Sequence, residues 1–192
     1  HMLYRFCYFL TFICFRIMYP VKVVGKENIK KNENYIFICN HRSNSDPIIL
    51  FNRIFRKQHF LAKIEMAHNK CEKFIIENFG AILIDRKKSD VHAIKKCLEI
   101  LKKNEVLVVF PEGTRGNGEN LSEVRNGAAM LSIKSGVKII PMFIEKKPKC
   151  FHKNTLIIGE AFPLNEFKDQ KLVKETLNDA SLIIKNKIDE LH

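Results

Sequence analysis

Tyr35-Ile36-Phe37-Ile38-Cys39 runs directly into Asn40-His41-Arg42-Ser43-Asn44-Ser45-Asp46-Pro47, and Pro47 opens Ile48-Ile49-Leu50-Phe51. The apolar run reads as a buried strand. Proline at the first helical position with an aspartate just before it is a helix-start signal. The stretch is therefore strand, loop, helix, with His41 in the loop and Asp46 at the helix N-terminus. On one regular helix two residues five apart point about 140° away from each other, so a pairing of His41 with Asp46 requires the loop. A loop histidine held by a carboxylate is the arrangement of a general base: the carboxylate fixes the imidazole tautomer and stabilises the imidazolium that forms on taking a proton. A plainer reading stays open at this point, in which Asp46 is only an N-cap, worth about 1 kcal/mol, and His41 an ordinary loop histidine.

The alternation continues outward in both directions. Upstream, Val21 to Val24 reads as a short strand and Gly25 to Asn34 as a lysine-rich connection. Downstream come a strand at Phe60 to Lys63, a helix at Glu65 to Asn78, a strand at Gly80 to Asp85 and an amphipathic helix at Asp90 to Lys103. Val106 to Phe110 is a further strand, and Glu123 to Ser135 a helix closed by Gly136. Val137 to Ile144 is a strand containing Pro141, Glu145 to Lys153 a basic loop, Thr155 to Gly159 a strand, and Asp169 to Leu191 a long amphipathic helix. Strands alternating with helices predict an α/β fold: a single domain with a largely parallel central sheet flanked by helices.

Chain length and composition agree. The 192 residues suit one domain with a substantial core, and 46% hydrophobic residues exclude a disordered chain. Lysine and arginine exceed aspartate and glutamate by 33 − 21 = 12, and the pI is near 9.5. That balance predicts anionic partners: nucleic acid, an acidic membrane surface, or phosphorylated or acidic-carrier substrates. Cys7, Cys14, Cys39, Cys71, Cys97 and Cys150 form no C-x-x-C pair. They read as buried reduced thiols in a reducing compartment.

Residues 3 to 18 are apolar and aromatic, and the uncharged run between Arg5 and Arg16 is half the length of a membrane span of about 20 residues. Arg5 and Arg16, eleven apart, lie about 20° from each other on a helix, where both reach lipid headgroups. The segment is expected to be a monotopic membrane anchor, the alternative being a helix packed on the domain itself. No small-residue cleavage site follows it, and His1-Met2 is set aside as a cloning remnant.

Three apolar strands end in polar loops: Asn40 to Asp46, Asp85 to Lys88, and Pro111-Glu112-Gly113-Thr114-Arg115-Gly116. Open α/β sheets bind ligands beyond the carboxyl ends of their strands. If the three strands are parallel neighbours, His41, Asp46, Arg86, Glu112 and Arg115 meet on one edge. They would bring together a base, its orienting acid and two guanidinium forks suited to phosphate or carboxylate. Gly113 permits close backbone approach to a ligand. Each arginine has the alternative of a solvated surface charge. Glu112 has that of an ion-pair partner for Arg115, and Thr114 that of bonding its own turn.

These residues carry a resemblance. Asn40-His41 to Asp46, Gly80 to Arg86, Phe110 to Arg115 and Ile139-Ile140-Pro141 are similar, in order and spacing, to the four sequence blocks of the glycerolipid acyltransferase family. The likeness is closest to the members that act on lysophosphatidate. It spans residues 40 to 144, and Gly127-Ala128-Ala129-Met130 also resembles the helix after the third block. It implies acyl transfer from an acyl thioester, on coenzyme A or acyl carrier protein, to the free hydroxyl of lysophosphatidate, giving phosphatidate for phospholipid biosynthesis. His41 and Asp46 would be catalytic, Arg86, Glu112, Gly113, Thr114 and Arg115 would bind the substrate phosphate, and Pro141 would shape a strand or the acyl pocket. No metal and no cofactor beyond the donor substrate is expected. The expected layout is a membrane-associating helix over residues 1 to 19 and an acyltransferase domain over 20 to 192, at the cytoplasmic face of an anionic membrane, monotopic or peripheral. The basic runs Arg53 to Lys57, Arg86 to Lys88 and Lys146 to Lys153 are candidates for meeting donor phosphates or an acidic carrier.

Two other acceptor readings keep the same blocks: glycerol 3-phosphate and another lysophospholipid. A basic nucleic-acid-binding domain fits the charge, yet no binding motif or interleaved aromatic-basic surface supports it, so no nucleic acid is expected. An inactive membrane-associated scaffold is opposed by the intact His41 and Asp46.

Overall fold

The computed structural model of the protein describes residues 2–64, 67, 69–84, 91–103, 105–111 and 121–191. Seven strands form one sheet: β1 (Val21–Val24), β2 (Tyr35–Cys39), β3 (Gln58–Lys63), β4 (Ala81–Ile84), β5 (Val106–Val109), β6 (Lys138–Ile144) and β7 (Asn154–Ile158). Among the described residues six α-helices accompany them: α1 (Met2–Met18), α2 (Asp46–Arg53), α3 (Lys70–Asn78), α4 (Val91–Lys102), α5 (Leu121–Ser135) and α6 (Lys174–Asp189). The strand order is β1-β7-β6-β2-β5-β3-β4. Every neighbouring pair is parallel except β6 with β7. The expected α/β fold, a mostly parallel sheet between helices, is the one observed.

The central strands are apolar at every position because both of their faces are covered. Ile36, Ile38, Leu107, Val109 and Ile139 pack on one side with Ala128, Ala129, Leu131, Ala180 and Ile184 of α5 and α6. Tyr35, Phe37, Cys39, Val108, Ile140 and Met142 pack on the other with Leu50 and Phe51 of α2. Successive residues of each strand alternate between these two cores, as the pleat requires.

Pro141 lies in a central strand, where its missing N–H would break a ladder. The break is already there: β7 pairs with β6 only from Met142 onward, and the chain returns to β6 as a single bridge between Phe162 and Ile139. Pro141 sits in the gap, and its carbonyl accepts the Gly159 N–H at 2.9 Å. A Cβ on Gly159 would lie 2.8 Å from Pro141 Cγ, so the return of the chain needs a glycine there.

α1 does more than flank the domain. Arg53 of α2, read from sequence as part of a basic run that could meet donor phosphates, is instead buried, and its Nη2 donates to the Tyr19 carbonyl at 2.8 Å. The Phe12 and Phe55 rings meet at 6.1 Å. Phe9, Leu10, Ile13 and Ile17 remain exposed. Among the described residues no helix is long and apolar enough to cross a membrane. The thiols also divide: Cys39 and Cys97 are buried, whereas Cys14 and Cys150 are exposed, contrary to the reading of all six as buried.

Candidate active site

The carboxyl end of β2 delivers the loop that holds His41, and three interactions fix that loop before any ligand is present. Asn40 is buried, and its side-chain amide closes on one residue at the end of β6. Asn40 Nδ2 donates to the Ile144 carbonyl at 3.0 Å, while its Oδ1 accepts the Ile144 N–H at 2.7 Å. Arg42 Nε donates to the same carbonyl at 2.9 Å, and its guanidinium lies over the Phe143 ring. The loop is thereby clamped across two neighbouring strands.

Asp46 is the second fixed point. Its side chain is fully buried, and Oδ2 stands 2.9 Å from His41 Nδ1. The same oxygen accepts the backbone N–H groups of Arg42 and Ser43, each at 2.6 Å. Ser45, not Asp46, occupies the N-cap position of α2, so the capping reading of Asp46 does not hold. The carboxylate turns back over the loop from the first helical turn, where the positive end of the helix dipole also favours its charge. Burial without these donors would be costly for an ionised group.

His41 is thus held at Nδ1, which leaves Nε2 as the free ring nitrogen, and its side chain keeps 20% of its exposure. The ring rests on Phe110 at the end of β5, with centroids 4.7 Å apart. Phe110 in turn stacks on Phe60 of β3. A buried carboxylate on one nitrogen and an aromatic floor below leave the imidazole one orientation. That is a geometry for proton transfer at Nε2. Asn40 and Phe110 were quoted in the sequence blocks without a role of their own. The signal for Asn40 was a buried amide at a strand end, and for Phe110 an aromatic just before a glycine-containing loop.

The sheet order alters the assembly expected from the three loops. β2 and β5 are neighbours, so Phe110 at the end of β5 stands beside His41. β4 is not: β3 lies between it and β5, which sets β4 three strand spacings, about 14 Å, from β2. Arg86, Glu112, Gly113, Thr114 and Arg115 lie outside the described residues. Of the other basic runs, Arg56 donates to the Lys30 and Glu33 carbonyls and Lys57 pairs with Glu105 at 2.6 Å, so with Arg53 that cluster serves the fold. A cavity of about 300 Å³ between α5 and α6, lined by Arg125, Lys174 and Lys185 among others, contains neither His41 nor Asp46. Among the described residues no three His, Cys, Asp or Glu side chains gather as metal ligands.

Tyr19, just after α1, reaches this region. Its hydroxyl is 3.4 Å from Cys150 Sγ and also engages Ser45, next to Asp46. The hydrogen bond with the thiol, followed by burial, pushes the phenol above its ordinary value.

An α/β sheet with a His-Asp pair at its carboxyl edge matches one family of enzymes: the family model named Acyltransferase aligns with residues 20–145. The chain belongs to that family and is a glycerolipid acyltransferase. It is 27% identical, over 98% of its length and all of the other's, to the 1-acyl-sn-glycerol-3-phosphate acyltransferase of Bacillus subtilis. It is 36% identical over 63% of its length to the Helicobacter pylori protein of the same name, of which it covers 52%. Like that protein, several other curated relatives are about twice as long as the segment matched. The solved 1-acyl-sn-glycerophosphate (LPA) acyltransferase from Thermotoga maritima superposes with a TM-score of 0.62 at 26% identity, over 89% of this chain and 71% of that one.

Proposed function

We propose that the protein acylates the free hydroxyl of lysophosphatidate, using a fatty acyl thioester on coenzyme A or acyl carrier protein and giving phosphatidate. The observation that carries the reading is the His41–Asp46 pair at the carboxyl edge, with Nδ1 committed to the carboxylate and Nε2 free. The acceptor O–H gives its proton to His41 Nε2 as its oxygen attacks the thioester carbonyl. The tetrahedral intermediate then expels the thiolate, the C–S bond breaks, and the imidazolium returns the proton to sulfur. Asp46 positions the ring and stabilises its charge without taking the proton. No acyl-enzyme is needed, because the acceptor is itself the nucleophile.

In this reading Arg86 and Arg115 clasp the acceptor phosphate, with Glu112, Gly113 and Thr114 shaping the loop around it, and Pro141 shapes the strand behind. The names of the Bacillus subtilis and Thermotoga maritima relatives support this acceptor. α1, with Phe9, Leu10, Ile13 and Ile17 exposed, and a net charge of +12 suit an enzyme lying on an anionic bilayer, from which a lipid acceptor is collected.

The test is an acceptor panel. Thiol release is followed with acyl-CoA and with acyl carrier protein as donors, against lysophosphatidate, glycerol 3-phosphate, lysophosphatidylcholine and the phosphate-free monoacylglycerol. The reading expects lysophosphatidate to give the highest kcat/KM and Arg115→Ala to raise KM for it by about tenfold or more. A preference for glycerol 3-phosphate, or an equal loss on Arg115→Ala with an acceptor lacking phosphate, overturns the acceptor assignment.

A further inference from the structure

The loop between β6 and β7 has no part in the chemistry above, yet it is firmly built. Phe151 stands at its tip, 71% exposed. It is the one described non-glycine residue with positive φ, at 61°, a conformation a bulky side chain adopts only when its surroundings impose it. They do: Phe151 N–H donates to the Met18 carbonyl at the end of α1 at 2.6 Å, and Asn154 N–H donates to the Pro20 carbonyl at 3.0 Å. Asn154 also ties the loop's base, with Oδ1 accepting from Lys146 N–H and Nδ2 donating to the Lys146 carbonyl. A loop fastened this firmly displays an aromatic ring to solvent instead of burying it.

The same loop carries Lys146, Lys147, Lys149 and Lys153, all exposed, against the single acid Glu145. No acidic side chain among the described residues pairs with any of the four. The place also matters. β6 ends at Ile144, the residue that Asn40 and Arg42 clamp, so the loop leaves the sheet beside His41. Its other attachment is the last turn of α1, next to exposed Ile17.

We infer that residues 145–153 are a second membrane-inserting element, in which Phe151 enters the headgroup region of an anionic bilayer and the four lysines engage lipid phosphates. An exposed aromatic at the tip of a lysine-rich loop is the chemistry of an interfacial anchor, and the charge selects an anionic surface. With α1 it makes two points of attachment on either side of Tyr19, which fixes the tilt of the domain. The carboxyl edge with His41 then faces the lipid from which the acceptor comes. The inference rests on the membrane reading of α1, and its test separates the two.

The chain contains no tryptophan, so Phe151→Trp places a single indole fluorophore at the tip. Co-sedimentation with vesicles of equal parts phosphatidylglycerol and phosphatidylcholine measures binding. Emission of the introduced indole, with and without bromine on the acyl chains, measures where the tip lies. The expected result is binding with a blue shift and bromine quenching. Phe151→Gly, which relieves the backbone strain, should keep or raise Tm yet weaken binding about tenfold. Replacing Lys147, Lys149 and Lys153 by glutamine should weaken it about fivefold per lysine. Vesicle-bound Phe151→Trp protein whose indole emits as in buffer and is not quenched would overturn the loop's role and leave α1 as the anchor. Protein that does not sediment with these vesicles would overturn both readings.

Discussion

Asp46 shows how one side chain reconciles folding with chemistry. Its Oδ2 gathers His41 Nδ1 and two backbone N–H groups, so the charge that orients the base also closes the loop. Asp46→Asn keeps a carbonyl oxygen toward His41 Nδ1 and the two backbone N–H groups, but it removes the negative charge that stabilises the imidazolium formed when His41 takes the proton. Activity should fall by about two orders of magnitude or more with Tm little changed, as thiol release and thermal melting would show. Asn40 is the converse, a residue of fold and not of chemistry. Asn40→Ala leaves the Ile144 N–H without its acceptor and should cost about 2 kcal/mol, read as a lower urea midpoint at unchanged m. The sequence made the His41–Asp46 pairing legible because five-residue spacing across a strand-helix loop has few other uses. It could not show that Asp46 bonds Arg42 and Ser43 rather than capping α2, since both readings place an aspartate before Pro47.

At the scale of elements, the strands and helices were legible because apolar runs and amphipathic stretches alternate, but α3 and α6 begin at Lys70 and Lys174, five residues after the expected Glu65 and Asp169. The neighbours of the strands were not legible. The loops after β2, β4 and β5 were expected together on the condition that those strands adjoin, and β3 intervenes between β4 and β5. Strands buried on both faces carry no mark of which neighbour they pair with, so order is set by packing at long range. The same limit hid Arg53, whose charge is plain in sequence but whose partner, the Tyr19 carbonyl, is 34 residues away. Glycines at close approaches are a third case. Gly25 has φ 78°, and a Cβ there would lie 2.0 Å from the Ile158 carbonyl oxygen, an oxygen that also accepts from Asn28 Nδ2. Gly25→Ala combines backbone strain with a clash against backbone and should destabilise by more than about 2 kcal/mol. Gly159→Ala meets chiefly a proline ring and a leucine side chain and should cost about 1–3 kcal/mol. Chemical denaturation of the two variants should rank them in that order.

For the molecule as a whole, stability and catalysis sit at opposite edges of the sheet. At the amino edge, Glu105 stands 2.6 Å from both His59 Nε2 and Lys57 Nζ. Burial, stronger than the pull of Glu105, holds His59 below its ordinary value near 6.5. Burial pushes the Glu105 carboxyl up, but the hydrogen bonds from Lys57 and His59 outweigh it and bring it below the usual range. Both shifts act in one direction. Below about pH 6.5 the unfolded chain binds a proton at His59 more readily than the folded one does. Below about pH 4.5 the same holds for Glu105. Tm should therefore fall in two stages on acidification, and His59→Gln should flatten the stage between pH 7 and 5 while leaving the lower one. A single-stage loss confined below pH 4.5 in the unmodified protein would remove His59 from this role.

At the carboxyl edge stands the proposal that His41 is the base for acyl transfer to lysophosphatidate. The most direct measurement is thiol release from a long-chain acyl-CoA, or from acyl carrier protein, by the purified protein with lysophosphatidate in mixed micelles, beside His41→Ala. Release should require both donor and acceptor and should drop by about two to four orders of magnitude in the variant, whose Tm stays at that of the unmodified protein because a partly exposed loop ring contributes little to the core. A folded His41→Ala protein that releases thiol at the original rate, with the same need for lysophosphatidate, would contradict the claim.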